Sequence, residues 1–140
     1  MERILSSDLQ KNLKKEFSSL TGDVKLVVIT KKGRNDQFND IAVEICKEFS
    51  GLSDKIHFRH IDADGDEVKQ YEIDSSPVIL FNPDKYDIRF MGSPLGEEGR
   101  SFVAAIMMVS MGQGVLSGGS IDRIRALKDP REIMVFVTPT

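Results

Sequence analysis

"YEIDSSPVILF", residues 71–81, decides how this chain is read. A polar loop, Asp74-Ser75-Ser76, runs into Pro77 and then straight into four large apolar residues, Val78 to Phe81. Proline has no N–H to give to a ladder, so it belongs at the first residue or the edge of a strand. Pro77 is therefore expected to open a buried strand, and the loop before it needs a purpose.

Upstream, Val24 to Thr30 reads "VKLVVIT", almost continuously apolar, as in a strand covered on both faces. The polar turn "KKGRND" follows it. Phe38, Ile41, Ala42, Ile45 and Phe49 then mark one face of an amphipathic helix, with Asn35 or Asp36 as its cap. Ile56 to Asp62 predicts a second strand, and a short helix around Asp66 to Tyr71 leads back to the proline loop. Before all of these, Ser7-x-x-Gln10 has the form of a capping box, and Leu9, Leu13, Phe17 and Leu20 form a helical stripe that Gly22 is expected to stop.

Downstream of Phe81, "NPDK" is a turn, and Tyr86, Ile88 and Phe90 alternate with Asp87 and Arg89 as in a half-exposed hairpin strand. Glu97 and Glu98 suit the first turn of a third long helix, whose inner face is read as Phe102, Val103, Ile106, Met107 and Ser110. After Met111 the chain loosens into "GQGVLSGGS", then offers a short helix over Ile121 to Leu127 and a last strand, "EIMVFVTPT". A βαβ unit, a hairpin and a covering helix predict an α/β fold with one mixed four-stranded sheet and helices on both faces. The extra N-terminal helix and the C-terminal helix–strand extension flank it. Residues 1–112 form the expected domain, and residues 113–140 the linker, short helix and strand that resemble the start of another.

Composition narrows the function classes. The chain has 140 residues, 40% of them hydrophobic and 29% charged, which suits one soluble globular domain. A net charge of -3 gives no electrostatic reason for nucleic acid or an anionic membrane as partner. No apolar run is long enough to span a bilayer, and the N-terminus lacks the features of a secretory signal. Cys46 is the only cysteine, so no internal disulfide is available. A cytoplasmic protein is the resulting expectation.

This order of elements, with a proline opening the third strand, resembles the thioredoxin fold. A closer likeness is to the glutaredoxin-like protein disulfide oxidoreductases, which carry two thioredoxin-fold units in tandem. Three segments carry it: "YEIDSSPVILF", "YDIRFMGSPLGEEGRSFVAAIMMVS" and the closing "IMVFVTPT", in that order. The chain resembles the first unit, and its last segment resembles the opening strand of the second. The resemblance implies that Pro77 is cis, that its loop faces the end of the first strand, and that the backbone of Ser76 pairs with an extended peptide or thiol substrate.

The departure from that family is chemical. There, a Cys-x-x-Cys pair sits where the first strand meets the next helix. The helix N-terminus favours a thiolate, and the second cysteine resolves the mixed disulfide. Here the junction reads Lys31-Lys32-Gly33-Arg34-Asn35-Asp36, with no sulfur. Gly33, Arg34, Asn35 and Asp36 are thus a degenerate redox position; no catalytic residue is assigned and no cofactor is expected. The chain ends at Thr140, one residue before the point where a second unit's cysteine would fall, which fits either a first half or a stand-alone relic.

Other features read more plainly. Cys46 lies on the flank of the apolar stripe, about three turns into its helix, where a lone cysteine acts as a small core hydrophobe. "DADGDEVKQYEI" fails as a calcium loop: counted from Asp62, the sixth residue is Glu67 rather than glycine and the twelfth is Ile73 rather than an acid. An acidic loop with Asp64 or Asp66 as helix cap accounts for it. His57 and His60 point to opposite faces of a strand and do not chelate one metal together. Lys31, Lys32 and Arg34 form a basic turn, read as solvated. Met107 fits the core, whereas Met108 points outward, where a paired domain would bury it.

The expectation is a redox-silent thioredoxin-fold unit that supports thiol–disulfide exchange by docking and peptide presentation through Ser76 and Pro77. Its expected partners are a second thioredoxin-like unit, or another copy of itself, and extended peptide. Two alternatives stay open: exchange through Cys46 with an external thiol, and a non-enzymatic dimerising adaptor whose last strand adds to a partner's sheet edge.

Overall fold

A computed structural model of the chain describes residues 3–138. The elements run α1 (Ser7–Phe17), β1 (Val24–Thr30), α2 (Asp36–Ser50), β2 (Ile56–Asp62), a 3-10 helix (Asp66–Tyr71), β3 (Val78–Phe81), β4 (Arg89–Met91), α3 (Glu98–Met111) and α4 (Gly118–Arg125). The strands form one mixed sheet in the order β2-β1-β3-β4. β1 pairs parallel to β2 and antiparallel to β3, and β3 pairs antiparallel to β4. This is the four-stranded arrangement that the apolar patterning predicts.

The two central strands are buried almost throughout because both of their faces are covered. One face is the main core: Leu26, Val28, Ile79 and Phe81 of the sheet meet Leu13 and Phe17 of α1, Ala42, Ile45 and Phe49 of α2, and Phe102 and Ile106 of α3. The opposite face is a thinner layer, in which Val27, Ile29, Ile61, Val78 and Leu80 lie under Val68 of the 3-10 helix. Three α-helices thus share one side and a single short helix roofs the other. Phe102 is the hub of the main core, with ring centroids 5.7 Å from Phe49, 5.0 Å from Phe81 and 5.3 Å from Phe90.

A buried serine fastens the end of α3 to the start of β1. Ser110 Oγ accepts the N–H groups of Thr21 and Gly22, each at 3.0 Å, and donates to the Gly22 carbonyl at 2.8 Å. The backbones approach so closely that a Cβ at residue 22 would lie 2.6 Å from the Ser110 carbonyl oxygen. Gly22 is therefore a close-approach glycine rather than the stop signal of α1, which ends at Phe17.

Several boundaries differ from the sequence reading for local reasons. The cap of α1 is Ser6, whose Oγ accepts the Leu9 N–H at 3.3 Å, while Gln10 turns back to the Leu5 carbonyl; the Ser7–Gln10 box does not form. Leu9 and Phe38, placed on apolar stripes by spacing, are exposed. On α2 the buried face begins instead at Asn39, three residues before Ala42 and seven before Cys46. Neither Asp64 nor Asp66 caps the 3-10 helix, whose N-cap position is Gly65. β4 spans only three residues because Gly92 and the Asn82–Tyr86 turn hold its ends. On α3, Val109 joins the buried face, while Val103 and Met107 are half-buried at its margin.

The predicted last strand is the main correction. Residues 131–138 adopt no regular structure and remain exposed, because no sheet edge among the described residues lies beside them to complete a ladder. Pro139 and Thr140, its final residues, lie outside the described residues. From Gln113 to Thr138 only Ser120 and Ile121 are even half-buried, and Ile133, Val135 and Phe136 are at least 80% exposed. α4, found at Gly118–Arg125 rather than Ile121–Leu127, is capped by Ser117, and its Ile124 is exposed. No helix among the described residues is long and apolar enough to cross a membrane.

Candidate functional site

The polar turn after β1 and the loop before β3 meet at one end of the sheet. Antiparallel pairing of Ile29 with Val78 carries both strands to the same edge, so Lys31 arrives opposite Ser76. The Ser76–Pro77 peptide bond is cis. Ser76 is buried, and its hydroxyl accepts the Lys31 N–H at 2.7 Å while donating to Asn39 Oδ1 at 2.7 Å. Across the same gap, Asn35 Nδ2 donates to the Ser76 carbonyl at 2.8 Å. Ser76 and Pro77 are thus brought against the Gly33–Asp36 turn, two segments about forty residues apart in the chain.

Asn39 organises that turn from within. Its Nδ2 donates to the carbonyls of Arg34 at 2.9 Å and Lys31 at 3.1 Å, and its Oδ1 holds Ser76. Asp36 Oδ1 accepts the Gly33 N–H at 2.8 Å, and Gly33, with φ +80°, turns the chain into the helix. Asn35 occupies the N-cap position with φ 59°, yet its side chain makes no cap bond, because it is committed to Ser76. Asparagine tolerates this left-handed backbone better than most residues. Lys31, Lys32 and Arg34 remain exposed at the rim, with Lys31 paired to Asp64 at 3.0 Å.

Asn39 is the residue that sequence reading missed. Its signal was present: a polar residue seven positions before Cys46 and three before Ala42 shares their helix face, so it had to be buried and satisfied. What it bonds to could not be read, because Ser76 is 37 residues away.

The chemistry that this geometry supports is limited by sulfur. Cys46 is fully buried in the main core. It lies ten residues after Asp36 on α2, about 15 Å along the helix axis. Burial in an apolar setting pushes its thiol pKa up, away from the thiolate that exchange requires. His60 Nε2 bonds Thr30 Oγ1 at 2.8 Å, and His57 pairs with Asp23 at 3.2 Å, which lowers the Asp23 carboxyl below its usual range. No group of three or more metal-ligating side chains gathers among the described residues.

A second feature lies beside the exit of the C-terminal segment. Tyr86, Ile88, Ala105, Met108, Val109 and the Gly112–Gly114 backbone line an open, mostly apolar groove of about 340 Å³. Met108, read as outward, forms part of its wall.

The fold and this site define a class, that of thioredoxin-fold proteins built for disulfide exchange. Among solved structures the chain is similar to a protein disulfide oxidoreductase from Aeropyrum pernix, with a TM-score of 0.77 and 19% identity over 88% of this chain and 55% of that one, a likeness of fold. It is also similar to the alkylhydroperoxide reductase AhpF of Enterococcus faecalis, with a TM-score of 0.74 and 25% identity over 88% of this chain and 61% of that one. The NTD_N/C domain of that AhpF gives a TM-score of 0.72 and 26% identity, with the same coverage of this chain and 61% of its own. In sequence, the chain is 28% identical over 139 residues to the corresponding alkyl hydroperoxide reductase component from two strains of Staphylococcus epidermidis. The match takes in 98% of this chain but spans only about a quarter of those relatives' length. No family model matches. Together these likenesses support a thioredoxin-like disulfide oxidoreductase family for the chain, as its three quoted segments imply.

Proposed function

We propose that the chain is a redox-silent thioredoxin-fold unit, which serves a larger thiol–disulfide system by docking a catalytic unit and offering its Ser76–Pro77 crevice to extended peptide. The observation that carries this reading is the junction of β1 and α2. The position suited to a reactive thiolate is filled by a closed amide network, and the one thiol is sealed in the core. Relatives about four times as long, AhpF among them, support a role as one unit of several.

The test is thiol chemistry. Native protein is expected to bind almost no thiol reagent until denaturant is added, then to take up one equivalent. With dithiothreitol and insulin, it should precipitate insulin no faster than buffer. Turnover above background that disappears in Cys46→Ser would overturn the silent reading and favour the Cys46 alternative.

Docking is supported by the unpacked C-terminal segment. Five consecutive apolar residues, Ile133 to Val137, are exposed on a chain with a well-formed core elsewhere. Burying their side chains against a neighbour would be worth roughly 10 kcal/mol before the costs of association. The full chain is accordingly expected to self-associate in light scattering as its concentration rises, and the chain lacking residues 130–140 to remain monomeric. A deletion that left the association unchanged would rule this segment out as the docking surface.

A further inference from the structure

We infer that Asn35 is an internal latch on the crevice: its carboxamide holds the Ser76 carbonyl that an incoming extended backbone needs, and peptide binds only by displacing it. The inference rests on the peptide reading of the crevice given above.

Two extended segments that pair in antiparallel fashion exchange both an N–H and a C=O at each bonded residue. Ser76 has half of that edge closed. Its carbonyl accepts from Asn35 Nδ2 at 2.8 Å, while its N–H has no partner among the described residues. The carbonyl cannot swing away to find another donor, because the Ser76 hydroxyl is held on one side by Lys31 N–H and on the other by Asn39. Asn35 also departs from what its position favours. An asparagine at an N-cap ordinarily accepts from the first turn of its own helix, yet this side chain leaves those amides and crosses to a residue 41 positions away. The left-handed backbone at φ 59° aims it there.

A peptide N–H that replaced the carboxamide would substitute one amide donor for another. It would gain almost nothing at that bond while having to expel a fixed side chain. Removing the latch should therefore tighten peptide binding by about tenfold, the worth of one net hydrogen bond.

The substitution that isolates this effect is Asn35→Gly, because glycine adopts positive φ without penalty and takes away only the side chain. Asn35→Asp keeps the size and the backbone preference, but at neutral pH has only acceptors to present to the Ser76 carbonyl. The probe is a short, fluorescein-labelled, cysteine-free peptide of alanine, glutamine and valine, followed by anisotropy. Asn35→Gly and Asn35→Asp should both bind it about tenfold more tightly than the unmodified chain. In the unmodified chain, saturating peptide should also release the Asn35 carboxamide protons from a protected to a water-exchanging resonance. Equal affinity in all three proteins would overturn the latch and leave the peptide reading standing. Absence of binding in all three would overturn both.

Discussion

Phe102→Ala is expected to cost about 3–5 kcal/mol of folding stability, a large share of what a domain of this size has in total. Phe102 is 1% exposed and its ring touches Phe49, Phe81 and Phe90 together, so its loss opens a void bounded by α2, β3 and β4. Chemical denaturation should show the midpoint falling with little change in slope, and the melting temperature should drop by about 10 °C or more. Phe38→Ala provides the contrast. Phe38 is 49% exposed despite its place in the apolar spacing of α2, so its truncation should stay within about 0.5 kcal/mol. Comparable losses for the two phenylalanines would refute the assignment of the core.

The second large effect is expected at Asn39. Truncation to alanine removes the partner of the buried Ser76 hydroxyl and both donors to the Lys31 and Arg34 carbonyls. Groups left buried without partners cost about 1–3 kcal/mol each, and water entering at the rim should relieve part of that. A net loss of about 3 kcal/mol follows, again by denaturation. Ser76→Ala alone should cost less, since it deletes a hydroxyl rather than stranding one. The double variant Asn39→Ala/Ser76→Ala should be more stable than the sum of the single losses predicts, by about 1 kcal/mol. Strict additivity would mean that the two side chains are not coupled and that the turn is held by other bonds.

The contrast between these residues explains how much could be read from the sequence. Phe102 was legible because a helix must turn an apolar stripe to the sheet, and 3.6-residue spacing names its members. The near-continuous apolar runs gave β1 and β3 their central places, and Pro77 marked where β3 begins. Cys46 was legible as core for the same reason that Phe102 was. Two kinds of feature were not legible. Phase errors of one residue moved Phe38 inward and left Asn39 unnoticed, because apolar character at position 38 outweighed the geometry of the face that Ala42 and Cys46 define. Long-range hydrogen bonds formed the second kind. That Asn35 would forgo its helix for Ser76 depends on how two distant loops meet, and nothing local to either encodes it. The C-terminal strand failed differently: its apolar pattern is genuine, but a strand exists only beside another, and pattern alone supplies no neighbour.

The serine clasp at residue 110 has a mechanical consequence for whatever the C-terminal segment carries. Ser110 is bolted to Thr21 and Gly22 just two residues before the segment departs at Gly112, which turns the backbone with φ +69°. A load pulling on that segment is therefore borne by the root of the central strand and does not peel α3 from its turn. Cargo tethered there would leave from a fixed pivot while keeping freedom of heading, so that the linker alone sets its reach and local concentration.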